Sequence, residues 1–430
     1  MMSRRSCGGP LRRRRSGLQL GAVGLAAACA LAVAACGSSS SGGSNGTSAS
    51  AASATGSSCG TSVPVGPANP TGVYASLPSA LKSLYASYPY TLAASPWANH
   101  KFPKPPWKIG FIGYPSVNEY FIHRLSGLKA DFAAAKAKGL VTGSLLTGIP
   151  PSYSQLTPEF QIAAIQQMVR EGVNLILLEP ASSALAPEID AVAKQGVVVA
   201  LADDLMPTSK YAIPLFTENY AQAEAGLLGI IKKGNILIVR GAQGSLVDTL
   251  VYNQVIADVK RCPDVHVVGT VYGEYDTSTA KTVVEQFLAS HPGEPIAGVV
   301  DAGGMFAGIA EAFQSVGRAV PPMSNTEPAG GELSWWLQHK SSYDEVAQGI
   351  SGSQAAYAWF NLALRILDNQ IPKLNVIEVE APVITKSNLS VFAPAGESLA
   401  YPSDINGPAT AYCSLSCVSS YFTRSGGPSI

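Results

Sequence analysis

Carboxylates that stand where apolar runs stop are the residues of this chain best placed to do chemistry. Asp203 ends the run Val198-Val199-Ala200-Leu201-Ala202, with Asp204 beside it, and Asp301 ends Gly298-Val299-Val300. A carboxylate so placed can accept two hydroxyl groups at once; its alternative use is a salt bridge or a helix cap. Covalent chemistry finds less support. Gly56-Ser57-Ser58-Cys59-Gly60 matches the pattern G-x-S-x-G, but no strand precedes it and no helix follows, so the match is fortuitous. His100, His123, His266, His291 and His339 are scattered, without metal-ligand spacing. Gly241-Ala242-Gln243-Gly244 lies between a strand and a helix, yet lacks the Lys-Ser/Thr of a phosphate loop and reads as a tight turn. No Ser–His–acid set or paired-carboxylate motif is evident, so the expectation is a binding protein, not an enzyme, with no cofactor and no metal.

Such residues need a scaffold, and the hydrophobic pattern supplies one. Apolar runs over 108–113, 144–147, 174–178 and 197–202 alternate with helical stretches over 119–138, 158–171 and 184–195. The succession then repeats, with strands over 235–240, 266–272 and 296–300 and helices over 221–232, 247–260, 278–290 and 306–316. A last long helix follows over 353–369. Uninterrupted apolar runs between helices mean strands covered on both faces, hence parallel sheets. The expected fold is α/β, with two doubly wound lobes. Ligands of such sheets sit at the carboxyl ends of the strands. That rule selects the loops 116–121, 203–205, 241–249, 301–305 and 325–328.

Composition bounds the partners. The 430 residues carry 29 Lys plus Arg against 29 Asp plus Glu, only 13% charged, where about 25% is usual. No basic face for nucleic acid is in prospect, and 47% hydrophobic residues suffice for a core. The early charge is all positive: Arg4, Arg5, Arg12, Arg13, Arg14 and Arg15 precede an apolar run over 18–35, the plan of an export signal. The run is too rich in Ala and Gly for a comfortable membrane span. Removing it leaves 23 basic residues against 29 acids, so the mature chain is mildly acidic.

Leu31-Ala32-Val33-Ala34-Ala35-Cys36-Gly37-Ser38 resembles the lipobox of bacterial lipoproteins. That resemblance implies acylation of Cys36 and a lipid anchor in the membrane; an ordinary secretory signal with an incidental cysteine is the alternative. The Ser/Gly/Ala-rich stretch that follows suits a flexible tether. Cys59, Cys262, Cys413 and Cys417 then remain, open to three pairings, and Cys413 and Cys417 are close enough for a small staple of the tail.

A second likeness spans roughly 107–389. Lys108-Ile109-Gly110-Phe111-Ile112, Asn118-Glu119-Tyr120-Phe121 and Val173-Asn174-Leu175-Ile176-Leu177-Leu178-Glu179-Pro180 resemble the first lobe of type I periplasmic sugar-binding proteins, the ribose-binding branch most closely. Thr217-Glu218-Asn219 resembles the crossover, Gly298-Val299-Val300-Asp301-Ala302 a strand of the second lobe, and Ala347-Gln348 the position before the last crossover. The resemblance implies a clamshell joined by three crossing strands that closes on a small ligand, a sugar or polyol, and delivers it to an ABC permease and its ATPase. A receptor that presents its ligand to a sensor kinase is the alternative role, and an extracellular enzyme on the same architecture ranks behind it.

The boundaries that follow are a signal over 1–35, Cys36 and tether over 36–75, and a Pro-rich lead-in over 76–106. The N-terminal lobe is then 107–218 plus 349–372, the C-terminal lobe 219–348 plus 373–393, and the tail 394–430.

Within this frame the resemblance carries ligand contacts to Asn118, Tyr120, Phe121, Asp203, Asp204, Thr249, Asp301, Asn325 and Gln348. Tyr120 and Phe121 match stacking aromatics, and core packing at a helix start is their alternative. Asn118 is alternatively a helix N-cap. Asp204 and Thr249 (or nearby Asp248) stand where the family has arginines, Asn325 stands for an Asp with Glu327 close by, and Gln348 is unchanged. The cleft thus reads as stripped of both cationic forks, which disfavours an anionic ligand relative to a neutral polyol, a sugar or a cationic amine.

Overall fold

In the computed structural model the described residues are 59–202, 204–215, 221–379, 381–399, 403–408, 410, 419–424 and 426–430. The export signal, Cys36, Asp203, the segment 217–219, Cys413 and Cys417 lie outside them. A short helix α1 (Ser79–Leu84) stands in the lead-in. Two parallel sheets follow. The first contains β1 (Ile109–Ile112), β2 (Leu146–Gly148), β3 (Leu175–Leu178), β4 (Val198–Leu201) and β5 (Ile213–Pro214), in the order β2-β1-β3-β4-β5. Its helices are α2 (Glu119–Ala137), α3 (Pro158–Arg170) and α4 (Ala186–Ala193). β1, β3 and β4 are buried at every position, as strands covered on both faces must be.

The second sheet repeats that winding. It contains α5 (Ala221–Ile231), β6 (Gly234–Arg240), α6 (Leu246–Val259), β7 (Val265–Tyr272), α7 (Thr277–Ser290), β8 (Gly298–Asp301), α8 (Phe306–Ser315) and β9 (Met323–Asn325). α9 (Gly330–His339) and β10 (Glu345–Gln348) complete the succession. The chain then returns to the first lobe as α10 (Gly352–Leu367) and crosses back to β11 (Val383–Ile384) and α11 (Leu389–Phe392). The order β11-β10-β9-β8-β6-β7 repeats that of the first sheet and adds one antiparallel edge strand. In both lobes the order reverses beside the first strand, so the crevices open after β1 and β3, and after β6 and β8.

The return helix shows how tightly the first lobe is built. Its N-cap Ser351 accepts from Gln354 N while the Gln354 side chain accepts from Ser351 N, a reciprocal cap. At Gly352 the helix touches α2: an added Cβ would lie 2.0 Å from the Tyr120 carbonyl oxygen. Gly352→Ala is expected to cost about 1–3 kcal/mol through forced separation of α10 and α2. Urea unfolding of the variant measures this; an unchanged midpoint would rule the close approach unimportant.

The flanking segments are built into the fold. Residues 59–75, expected as the end of a flexible tether, are tied to the fold at Cys59 and Val63, although none of them is buried. Cys59 is disulfide-bonded to Cys262, Val63 N donates to Asp258 Oδ1 (2.8 Å), and Gln254 Nε2 donates to Val63 O (2.9 Å). This pairing is one of the three open to the four thiols and was not visible from spacing, because 203 residues separate the partners. The lead-in adds a small core of its own, with Tyr85, Tyr88 and Leu92 against Leu205, Leu374 and Val376. Tyr85 Oη donates to Val376 O and accepts from Glu378 N, which ties the lead-in to the segment that runs from α10 back to β11. The tail crosses the opposite way: Ser403 O accepts from Gly330 N, Tyr421 Oη donates to Glu378 O (2.5 Å), and Arg365 Nη1 donates to Gly426 O.

Buried carboxyls make the stability of this fold fall as pH rises. Burial pushes Glu224 on α5 up to about 8, with Asp258 adding to the rise. Burial also lifts Asp204 and Asp301 to about 7 and Glu345 to about 8. Once unfolded, these groups return to about 4. The folded chain therefore binds more protons between those limits, and the stability is present below the window and lost through it. The melting temperature is expected to be higher at pH 5.5 than at pH 8.5, with Glu224→Gln flattening the fall. Identical slopes for variant and parent would contradict the assignment.

Candidate functional site

The loops at the two crevices face each other and meet. In the first lobe, Tyr114 follows β1 and Glu179 follows β3. Tyr114 N donates to Glu179 Oε2 at 2.6 Å, so the two switch-point loops are locked together. The Tyr114 ring packs edge-on against Phe121 (5.4 Å between centroids) and tilts against Tyr153 (5.9 Å). Its hydroxyl lies 2.9 Å from Pro180 O and 3.1 Å from Asp204 Oδ2. One hydroxyl proton cannot serve both acceptors fully. The hydroxyl's bond to Asp204 holds down a carboxyl that burial raises to about 7.

The second lobe supplies Tyr275 and Glu327. Glu274 and Tyr275 both adopt left-handed backbone conformations (φ 60° and 53°), which non-glycine residues hold only when their surroundings enforce it. Here the Tyr275 ring lies over Gly241, where an added Cβ would come within 2.0 Å of Cζ. The Tyr275 carbonyl accepts from Asn118 Nδ2 of the first lobe at 2.9 Å. That bond joins the lobes, so the structure is a closed clamshell. Gly304 approaches from the same side, its would-be Cβ 3.0 Å from Asn118 Nδ2.

A buried ion pair crosses the same ground. Arg124, one turn into α2, places Nη1 2.5 Å from Glu179 Oε1, with both side chains almost fully enclosed. Its guanidinium lies 4.2 Å over the Tyr120 ring, and Glu327 of the opposite lobe acts on it electrostatically. Burial pushes Glu327 up to about 8, against the pull of Arg124, with Asp301 and Glu179 adding to the rise. Glu327 N donates to Asn325 Oδ1 (2.8 Å), but Oε2 is buried with no hydrogen-bond partner among the described residues.

The structure separates the expected site residues into two groups. Asn118, Phe121 and Asp204 lie between the lobes, and Asn118 also caps α2 by accepting from Phe121 N at 3.0 Å. Tyr120 is a buried platform for Arg124. Thr249, Asp301, Asn325 and Gln348 are engaged by the fold. Thr249 Oγ1 donates back to Ser245 O, and Asp301 accepts from Gly303 N and Met305 N, shaping the loop after β8. Asn325 accepts from Glu327 N and donates to Glu332 Oε2 (2.6 Å), which positions Glu327. Gln348 accepts from Gln222 N and Ala223 N at the start of α5, and donates to Ala381 O at the crossover.

The reading of a cleft without cationic forks is corrected. Arg124 is there, while Arg240 at the end of β6 pairs with Asp248 at 2.5 Å and lies over Tyr252 within the second lobe. Family spacing pointed to the residues after β4 and within α6, and these cations come from other elements. The overlooked signal for Arg124 is helical period: it lies three residues after Phe121, on the buried face. Tyr114, Tyr153, Glu179 and Tyr275 were also missed as site residues. A cavity of about 510 Å³ between β2 and α3, lined by Phe160, Met168 and Arg170, lies on the flank of the first lobe, away from these groups.

Residues 109–381 match the family model described as a periplasmic binding protein domain. The chain belongs to that family, with the type I fold of two parallel α/β lobes. An ABC transporter solute-binding protein from Thermobispora bispora is 23% identical, with TM-score 0.58, covering 67% of this chain and 88% of that one. A solute-binding protein from Mycobacterium smegmatis with bound glycerol is 17% identical, with TM-score 0.56, covering 69% and 100%. One from Bacillus halodurans with bound myo-inositol is 15% identical, with TM-score 0.53, covering 66% and 96%. No curated protein matches the chain. Among the described residues no helix is long and apolar enough to cross a membrane.

Proposed function

We propose that this protein is an exported, lipid-anchored solute-binding protein that encloses a small polar ligand, a sugar or polyol, between its lobes and presents it to an ABC permease and its ATPase. The observation that carries this reading is the meeting of the switch-point loops. Tyr114, Phe121, Asn118 and Asp204 of one lobe face Tyr275 and Glu327 of the other. Flat aromatic surfaces suit the C–H faces of a ring or polyol, and carboxylates and amides suit its hydroxyls. The structural neighbours that hold glycerol and myo-inositol have the same fold and support a ligand of that class. The Cys59–Cys262 bond suits an oxidising compartment outside the cytoplasm, and Cys36 is the acylated residue on this reading.

Ligand binding to the folded state raises stability by about 2.7 kcal/mol at a hundredfold excess over Kd. Thermal-shift screening of the purified protein against sugars and polyols should therefore find at least one stabilising member. Tyr114→Ala should abolish that shift while retaining the melting transition. A panel in which nothing stabilises the protein would overturn the assignment. For the anchor, a fatty-acid label incorporated by the parent should be absent from Cys36→Ala.

A further inference from the structure

We infer that the segment 59–97 is a strap that crosses between the lobes and restrains opening of the cleft, with its first end fixed by the Cys59–Cys262 disulfide. The inference concerns the motion of the two lobes and does not depend on which ligand they enclose.

The strap is held on both lobes. At its first end Cys59 is bonded to Cys262, which follows α6. Val63 N donates to Asp258 Oδ1 (2.8 Å) and Val63 O accepts from Gln254 Nε2 (2.9 Å), both on α6 of the second lobe. At the other end Trp97 Nε1 donates to Tyr211 O at 2.9 Å, just before β5 of the first lobe, and the two rings meet edge-on. Phe102 N then donates to Asn369 Oδ1 (2.7 Å), just beyond α10. Between these ends the strap runs antiparallel to the segment that returns from α10 to β11. Ala94 bridges Leu374, Asn375 N donates to Ala93 O (3.0 Å), and Ala93 N donates to Asn375 Oδ1 (2.9 Å).

Length alone would restrain nothing, since an extended chain of this many residues spans about 100 Å. The restraint comes from how the strap is folded. Asn69 brackets Leu92, its Oδ1 accepting from Leu92 N and its Nδ2 donating to Leu92 O, both at 2.9 Å. Tyr85, Tyr88 and Leu92 close a core with Leu374 and Val376. That core takes Leu205 from the first lobe, and Leu246 and Leu250 of α6 from the second. Leu205 is fully buried and adjoins Asp204, whose Oδ2 lies 3.1 Å from the Tyr114 hydroxyl in the cleft. The strap therefore shares one apolar cluster with a cleft loop of one lobe and the first helical turns of α6 in the other. Separating that loop from α6 exposes the cluster to water, so the strap favours the closed arrangement.

Amide hydrogen exchange of the full chain without added ligand, read by mass spectrometry, tests this. In Cys59→Ala/Cys262→Ala, peptides covering the interlobe loops 114–121 and 273–276 should exchange at least fivefold faster than in the parent, with β3 and β6 unchanged. Tyr85→Phe keeps the disulfide and removes the bonds to Val376 O and Glu378 N, and it should speed exchange in the same loops. Far-ultraviolet circular dichroism checks that each variant is folded; where the double cysteine variant is not, Tyr85→Phe decides alone. Faster exchange confined to 59–97, with both interlobe loops at the parental rate, overturns the inference, because the segment is then an appendage and no restraint on the cleft. An equal rise in β3 and β6 overturns it too, since that is a general loss of stability. Both results leave the solute-binding reading standing, because no ligand enters the measurement.

Discussion

Replacing Cys59 and Cys262 by Ala together is expected to lower the unfolding free energy by about 2–5 kcal/mol, among the largest effects available in this chain. The bond closes a loop of 203 residues, and a cross-link over so long a loop strongly restricts the unfolded ensemble. In the folded state it also pins the first described segment to the second lobe. Gly60 lies against Gly229, where an added Cβ on Gly60 would be 2.7 Å from Gly229 Cα, and Val63 bonds Asp258 and Gln254. Losing the cross-link should therefore release this segment first. Urea unfolding with and without reductant measures the effect, and limited proteolysis near residue 60 reports the release. A double variant as stable as the oxidised parent, with no new cleavage, would show that the bond is dispensable.

Arg124→Ala should cost a comparable 3–5 kcal/mol, because it removes one partner of an enclosed pair and leaves carboxylates without a counter-ion. Glu179 is 2% exposed, and its remaining bonds come from Tyr114 N alone among the described side-chain contacts. Glu327 loses the cation that holds its carboxyl down. Lysine is no substitute, since a point charge cannot both lie flat over Tyr120 and reach Glu179. A double-mutant cycle with Glu179→Gln separates the pair from simple loss of packing. Coupling is expected to recover at least about 1 kcal/mol in the double variant. Strict additivity would mean that Arg124 acts through its bulk alone.

Much of the scaffold was legible because it follows from local pattern. The runs over 109–112, 175–178 and 198–201 are apolar throughout, and only strands covered on both faces use such runs at that length. Asn118, offered by residue type as a helix N-cap, does accept the capping bond at the start of α2. Weaker signals left β5, β9 and β11 unread, since two or three residues carry no period. The lead-in core was equally hidden: Tyr85 and Tyr88 find Leu374 and Val376 only after the chain has crossed twice between lobes.

For the site, the sequence by itself pointed to the loops at the carboxyl ends of the strands, because alternating strands and helices imply parallel sheets to which that rule applies. It also offered Asn118 as a helix cap, whose partner lies three positions along the chain. Only the tertiary structure decided which polar groups face the space between the lobes. Gln348 and Asp301 are used up within the fold, while Arg124, Glu179, Tyr275 and Glu327 converge from four separate segments. The disulfide belongs to the same class of fact. Its partners, like the charge balance of the cleft, depend on contacts across hundreds of residues, and the free energy of a buried charge is set by what lies beside it in space.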